Sequence, residues 1–418
     1  MLKSLTLNNR HKLVLLSCTL LILPQLSYAQ LGGQRAQFHG FIMQSFVKTD
    51  NNNYLGSSEG NGSLDYTEIG LNGSVKLGSR FQLAAQLLSR RAGETDNGEI
   101  KVDFALADYR LIEHFDYGFG LRAGRVKNPI GFYNETRDVS FTRESIVLPQ
   151  SIYFERARDV SISSDGLHSY GFKQTKVGII NAQLAIALPR VTSTNTEYAL
   201  LGGVKAGKFV GKPSFVGRVM LESSDSRTTI ALTHVNLFMD YEPGDATLEP
   251  GFTGDGEVNF SNTMLSMKYN LLKWSFTGEY AQRSIAFTGF PKIPATSTGA
   301  AIPDVINDVT GESFYLQVVN RLNFKWNFIV RYDVLYSDKT DRDGNEFSAV
   351  TGAKDYSRFA KDLMLGLQYN IQRQWMARLE LHQIDGTAWL PVQDNPNSTD
   401  IDQRWRMINL SLSYRFSL

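Results

Sequence analysis

From Ile408 to Leu418 the chain alternates without a break. Ile408, Leu410, Leu412, Tyr414, Phe416 and Leu418 are apolar; Asn409, Ser411, Ser413, Arg415 and Ser417 between them are polar. A strand repeats its side-chain direction every two residues, so this segment has one oily face and one wet face. A chain that finishes on such a strand, with aromatics near its end, fits a barrel closing on its last strand in a bilayer: lipid on the oily face, water on the other.

The same pattern recurs upstream. Over Thr67–Leu77, Ile69, Leu71, Val75 and Leu77 oppose Glu68, Asn72, Ser74 and Lys76. From Phe324, the residues Trp326, Phe328, Val330, Tyr332, Val334 and Tyr336 oppose Lys325, Asn327, Arg331 and Asp333. Each run is long enough to cross the hydrocarbon when tilted. Short connections are expected at Gly78-Ser79, 114–116, 174–176, 223–226, 270–272, Asn323 and 371–374. Long ones are expected at 49–63, 92–99, 128–165, 189–213, 240–257, 286–312, 337–358 and 386–403. The segment Tyr198–Val210 would add a seventeenth strand, but it is rich in Gly and Lys and alternates poorly. Single-chain bacterial barrels have even strand numbers, so it is assigned to the loop 189–213. The expected fold is all-β: a transmembrane antiparallel β-barrel of 16 strands with both termini on the short-turn side.

The N-terminus agrees. Lys3, Arg10, His11 and Lys12 precede the apolar run Leu13–Leu23, and Ser27-Tyr28-Ala29 offers small residues at both recognition positions of a cleavage site. Residues 1–29 thus read as a signal peptide and 30–418 as the barrel domain. Cys18 follows Leu15-Leu16-Ser17, the outline of a lipoprotein box, but the apolar sequence continuing after it argues against lipidation. It is the single cysteine, so the exported part has no thiol chemistry. The net charge of +1 includes three signal-peptide cations, leaving +1 − 3 = −2, which excludes a globally basic nucleic-acid binder. Mean hydropathy is only −0.23, as expected where lumen and loops are polar and half of each strand faces lipid. A secreted soluble β-sandwich or β-solenoid is the bland alternative.

Aromatics separate the two. Phe81, Tyr117, Phe119, Tyr269, Trp274, Phe324, Trp326, Tyr369, Trp375, Tyr414 and Phe416 fall on the expected lipid face beside the short turns. Barrels carry such girdles at the membrane interface, and a soluble fold has no reason to align them at one rim. The opposite parity points charges inward, and Lys76, Arg90, Arg122, Arg218, Arg283, Arg331, Arg378 and Arg415 become candidates for the pore lining. The plainer alternative is that many of them pair with acids and brace the wall.

Loop 128–165 is the third long loop and the longest. Phe132, Tyr133, Phe141, Ile146, Val147, Leu148, Ile152, Tyr153 and Phe154 make it too apolar to float in water. Folding into the barrel would bury them and narrow the pore; capping the rim or contacting another subunit are the alternatives. Folded inward, Arg137, Arg143, Arg156 and Arg158 become candidate constriction residues, with Glu144 and Glu155 among the acids beside them. Guanidinium groups stay charged and bind carboxylates or phosphates in bidentate fashion.

The stretch Gly124-Arg125-Val126-Lys127-Asn128-Pro129-Ile130-Gly131 resembles the G-x-x-K-x-P-x-G segment of phosphate-selective porins of the O/P type and related 16-stranded porins. Asn134–Asp138 and Leu148–Phe154 are similar to a porin-like group near that family. The resemblance implies a trimeric passive channel whose third loop enters the lumen. The chain departs from the phosphate-selective members in lacking a dense ladder of arginines and lysines, and in ending Phe416-Ser417-Leu418 rather than on an aromatic.

Other motifs dissolve on inspection. His168 and Ser169 are strand neighbours and point to opposite faces. No metal-ligand spacing joins the six histidines. Asp341–Glu346 resembles part of a calcium loop, but its Gly comes too early and no acid sits at position 12. The expectation is a non-enzymatic outer-membrane porin without cofactor or metal, passing small and preferably anionic solutes. Its expected surroundings are outer-membrane lipid and lipopolysaccharide, the assembly machinery and sister subunits. A non-conducting structural or adhesive barrel, and an outer-membrane hydrolase, remain as alternatives.

Overall fold

The computed structural model describes residues 30–31, 34–204, 207–244, 255–289, 308–397 and 400–417. The expected signal peptide, the centre of the expected long loop 286–312 and Leu418 lie outside the described residues.

Sixteen long strands form one closed antiparallel sheet. In chain order they are β1 (Gln34–Thr49), β2 (Ser63–Leu77), β3 (Phe81–Ala92), β4 (Asn97–Glu113), β5 (Tyr117–Lys127) and β6 (Ser163–Gln174). Then come β7 (Gly178–Pro189), β8 (Ser214–Ser223), β9 (Thr228–Glu242), β10 (Gly256–Asn270) and β11 (Trp274–Thr288). The last are β12 (Asp308–Arg321), β13 (Trp326–Tyr336), β14 (Phe359–Asn370), β15 (Trp375–Gly386) and β16 (Arg404–Ser417). Each pairs with its neighbours in sequence, and β16 closes on β1 from Met407↔Thr49 to Ser417↔His39. Closure leaves no edge whose amides would face lipid unpaired.

The expected turns and loops alternate as read. Short turns carry their own chemistry: Gly78 takes φ +80 between β2 and β3, and Asn323 Oδ1 accepts the amides of Lys325 at 2.8 Å and Trp326 at 3.0 Å before β13. One detail differs inside loop 189–213. Tyr198–Val210 is no barrel strand: the helix Thr194–Leu201 runs into it, and a short strand, Lys208–Gly211, begins near its end. That strand lengthens the rim by pairing with Met239–Glu242 of β9.

The outer face is apolar. Leu232 and Leu265 sit directly opposite one another on β9 and β10 and are both exposed, as are Ile408, Leu410 and Leu412 on β16. Near the short turns, cross-strand aromatics meet: Trp326 stacks on Tyr369 with ring centroids 4.3 Å apart, and Trp375 packs tilted against Tyr414 at 4.6 Å. No helix among the described residues is long and apolar enough to cross a membrane; strands do the crossing here. The barrel and its apolar belt place the chain in the outer membrane.

Candidate pore interior

The long third loop, residues 128–162, is tied to inward-pointing side chains all around the wall. On β15, Glu380 accepts the amides of Ile146 at 2.6 Å and Val147 at 3.2 Å. Arg331 on β13 donates to Val147 O and Ser145 Oγ, both at 3.0 Å. Arg378 on β15 reaches the carbonyls of Ser140 (2.6 Å) and Arg143. On β11, Glu279 takes Tyr153 Oη at 2.7 Å and the amide of Phe132 at 3.1 Å. On β8, Arg218 donates to Gly131 O at 2.6 Å. Phe141 lies under the Arg415 guanidinium, 4.4 Å from carbon to ring centroid, near the short turn that joins β14 and β15. The loop thus bonds strands on opposite sides of the sheet and reaches the short-turn end.

The motif that opens the loop explains its own composition. Lys127 pairs with Asp103 at 2.7 Å and also with Asp138. Asn128 bonds Ser161 O at 3.0 Å and Ser164 Oγ at 2.6 Å, which draws the two ends of the loop together. Gly131 has φ +55, and a Cβ there would overlap Tyr153 Oη and Glu279. Gly124 has φ +117, and its Cβ would strike Ala105 O.

The candidate constriction residues divide into two groups. Arg137, Arg143 and Arg158 are buried in ion pairs. Arg143 meets Glu68 at 2.8 Å, Glu68 meets Arg90 at 3.3 Å, Arg90 meets Glu155 at 2.6 Å, and Glu155 meets Arg137 at 2.8 Å. Arg158 pairs with Asp138. Burial alone would raise the Glu155 carboxyl, but Arg90, Arg137 and Arg158 outweigh it and hold it at about 2. Glu144 is half-buried between Lys268 at 3.3 Å and Tyr133 Oη at 3.1 Å. Arg156 stands apart: it bonds Ala388 O at 3.2 Å and is in no ion pair among the described residues. With no carboxylate to offset burial, its guanidinium falls to about 10, still charged at neutral pH.

The candidate lining residues divide likewise. Arg90, Arg218, Arg331 and Arg378 point inward and are covered by the loop; Arg331 is only 1% exposed. Arg122 pairs with Asp108 at 2.9 Å on the wall, and Lys76 and Arg415 are exposed towards the short-turn end. Arg283 lines an open cavity of about 300 Å³ with Arg156 and Arg358, between the loop and β9–β12.

Sequence reading missed what fills the other side. Tyr54 from the first loop and Trp389 from the last pack edge to face at 5.0 Å, and Trp389 lies 5.2 Å from Trp405 of β16. With Ile146, Val147 and Leu390 they form a core inside the mouth over β1, β2 and β13–β16. The signal was present in the apolar run Ala388-Trp389-Leu390 within a long loop. Arg358 and the hydroxyls of Ser151 and Ser313 were also overlooked. His168 is buried inward while Ser169 bonds Leu184 O, so the two make no pair. Asp341 accepts the amides of Glu346 and Phe347, at 3.2 and 2.9 Å, and so caps the helix Asn345–Thr351. No group of three or more His, Cys, Asp or Glu suited to a metal occurs among the described residues.

A closed sixteen-stranded antiparallel barrel with an apolar outer belt is a porin-like fold. Solved structures share the fold. An anion-selective porin from Comamonas acidovorans superposes with a TM-score of 0.55 at 11% identity, over 92% of this chain and 100% of its own. The outer membrane channel DcaP of Acinetobacter baumannii gives 0.55 at 10%, over 93% and 99%. OmpT of Vibrio cholerae in its trimer form, an outer membrane protein, gives 0.53 at 11%, over 92% and 99%. The sequence matches no protein-family model and no curated protein.

Proposed function

We propose that the chain is a passive diffusion channel for small solutes across the outer membrane, favouring anions, with the third loop as its constriction. The observation that supports this reading is the uneven use of the loop's cations. Arg137, Arg143 and Arg158 are spent on buried ion pairs and brace the loop, whereas Arg156 faces the open cavity with no counter-charge among the described residues. Fixed positive charge in a narrow passage favours anions over cations. No bond chemistry is required of any residue. Assembly as a homotrimer within lipid and lipopolysaccharide, after delivery by the outer-membrane assembly machinery, belongs to the same proposal.

Discrete conductance steps of the purified protein in a planar bilayer are the expected result. A KCl gradient should give a reversal potential on the anion side, and Arg156→Glu should move it towards the cation side. An unmoved potential would remove Arg156 from the selective passage. A second reading, a non-conducting structural barrel, draws on the aromatic core that fills one side of the mouth. Insertion without any conductance steps would favour it.

A further inference from the structure

The cavity beside β9–β12 carries more than a positive charge. Arg156 and Arg283 both flank the Phe154 ring, their guanidinium carbons 5.7 and 5.6 Å from its centroid. Arg358 lines the same space and stacks on Phe347 at 4.4 Å. Asp338 and Asp341 lie in the neighbourhood of Arg358, but none of the three arginines is in an ion pair among the described residues. Like charges gathered with no carboxylate in direct contact are unfavourable unless an anion completes them.

Two further observations point to a guest. Arg358 Nε, Asn262 Oδ1 and the hydroxyl of Ser313 are buried without a hydrogen-bond partner among the described residues, and all three residues line this cavity. Buried polar atoms in folded chains are nearly always paired, so three such atoms around one space are places where a polar guest or water can bond. The remaining wall is apolar: Val235, Leu237, Met239, Phe260 and Ile285. A bare inorganic anion would leave that wall unused. A volume of about 300 Å³ suits a small molecule.

We propose that this cavity binds organic anions that join a carboxylate to a small apolar or aromatic body. The carboxylate is held by Arg156 and Arg283, and the body lies on the β9–β11 wall. As a step in passage the site rests on the channel reading above; binding itself is read separately.

The test uses the full barrel in detergent, with benzoate, benzamide and inorganic phosphate as probes followed by titration calorimetry. Benzoate should bind, and benzamide and phosphate should each be about tenfold weaker or worse. Arg156→Gln and Arg283→Gln should each weaken benzoate about tenfold, the loss of one charge-assisted contact. Heat-modifiable gel mobility shows that each variant is folded, and two variants on separate elements guard against one misfolding. Equal binding of benzoate and benzamide would overturn the role of charge. Phosphate binding tighter than benzoate would overturn the role of the apolar wall. Unchanged affinity in both folded variants would place the site elsewhere. Benzoate binding to a barrel that never conducts KCl would sink the channel reading alone; KCl conduction without benzoate binding would sink the site alone.

Discussion

Glu380 and Ile146 lie 234 residues apart in sequence and are joined by a hydrogen bond of 2.6 Å, from a loop amide to a wall carboxylate. Glu380 also takes the next amide, Val147, at 3.2 Å. With Arg378, this carboxylate clasps the third loop to β15. Replacing it with Ala removes two charge-assisted acceptors and strands two buried amides, a local loss of about 2 kcal/mol or more. The expected outcome for Glu380→Ala is a looser loop and larger single-channel conductance, read in a planar bilayer.

Acid should loosen the loop from another point. Glu155 is held at about 2, below its ordinary 4.5, because Arg90, Arg137 and Arg158 outweigh the opposing effect of burial. A depressed carboxylate contributes stability that is complete above its unfolded value and lost as pH falls through its folded value. Conductance and protease resistance of the loop should therefore hold steady from neutral pH to about 4.5 and change between 4.5 and about 2. Glu155→Gln should show the acid-like behaviour already at neutral pH.

Gly131 tests the loop's first bend. Its φ of +55 and the crowding of Tyr153 Oη and Glu279 leave no room for a methyl group. Gly131→Ala should cost about 1–3 kcal/mol through strain and displaced hydrogen bonds. Protease cleavage within 128–162 should appear before the barrel itself loses its heat-modifiable mobility.

The outer belt gives a prediction with a built-in control. Leu265 faces outward opposite Leu232, while Ser266 beside it points inward and bonds Glu279 at 2.6 Å. Leu265→Arg should destabilise the barrel by about 2–4 kcal/mol if it sits near the bilayer midplane. Urea unfolding in lipid vesicles checks this, with Leu265→Met as the volume-conserving control.

Strand number, turn positions and the outward face were legible because each depends on neighbours in sequence. Alternation reports which way Leu410 or Arg331 points, and a turn such as the one at Asn323 is built from residues within three positions. What covers an inward side chain is not local. Arg331 and Arg378 read as pore wall, yet the loop that buries them comes from nearly two hundred residues and more upstream. The same holds for Arg137, Arg143 and Arg158, whose composition suggested a charged constriction and whose partners make them internal braces. Arg156 differs from them in having no carboxylate partner among the described residues, a difference that spacing along the chain does not encode.

The seam between β1 and β16 has a consequence for how the molecule is made. Its first long strand and its last are each other's only remaining partner, so the ring seals only after the whole chain has been delivered. A chain stopped short of residue 404 would present two bare edges, and the bilayer core offers neither of them water. Closure is thus a geometric condition: only a copy that includes β16 pairs both edges of the sheet.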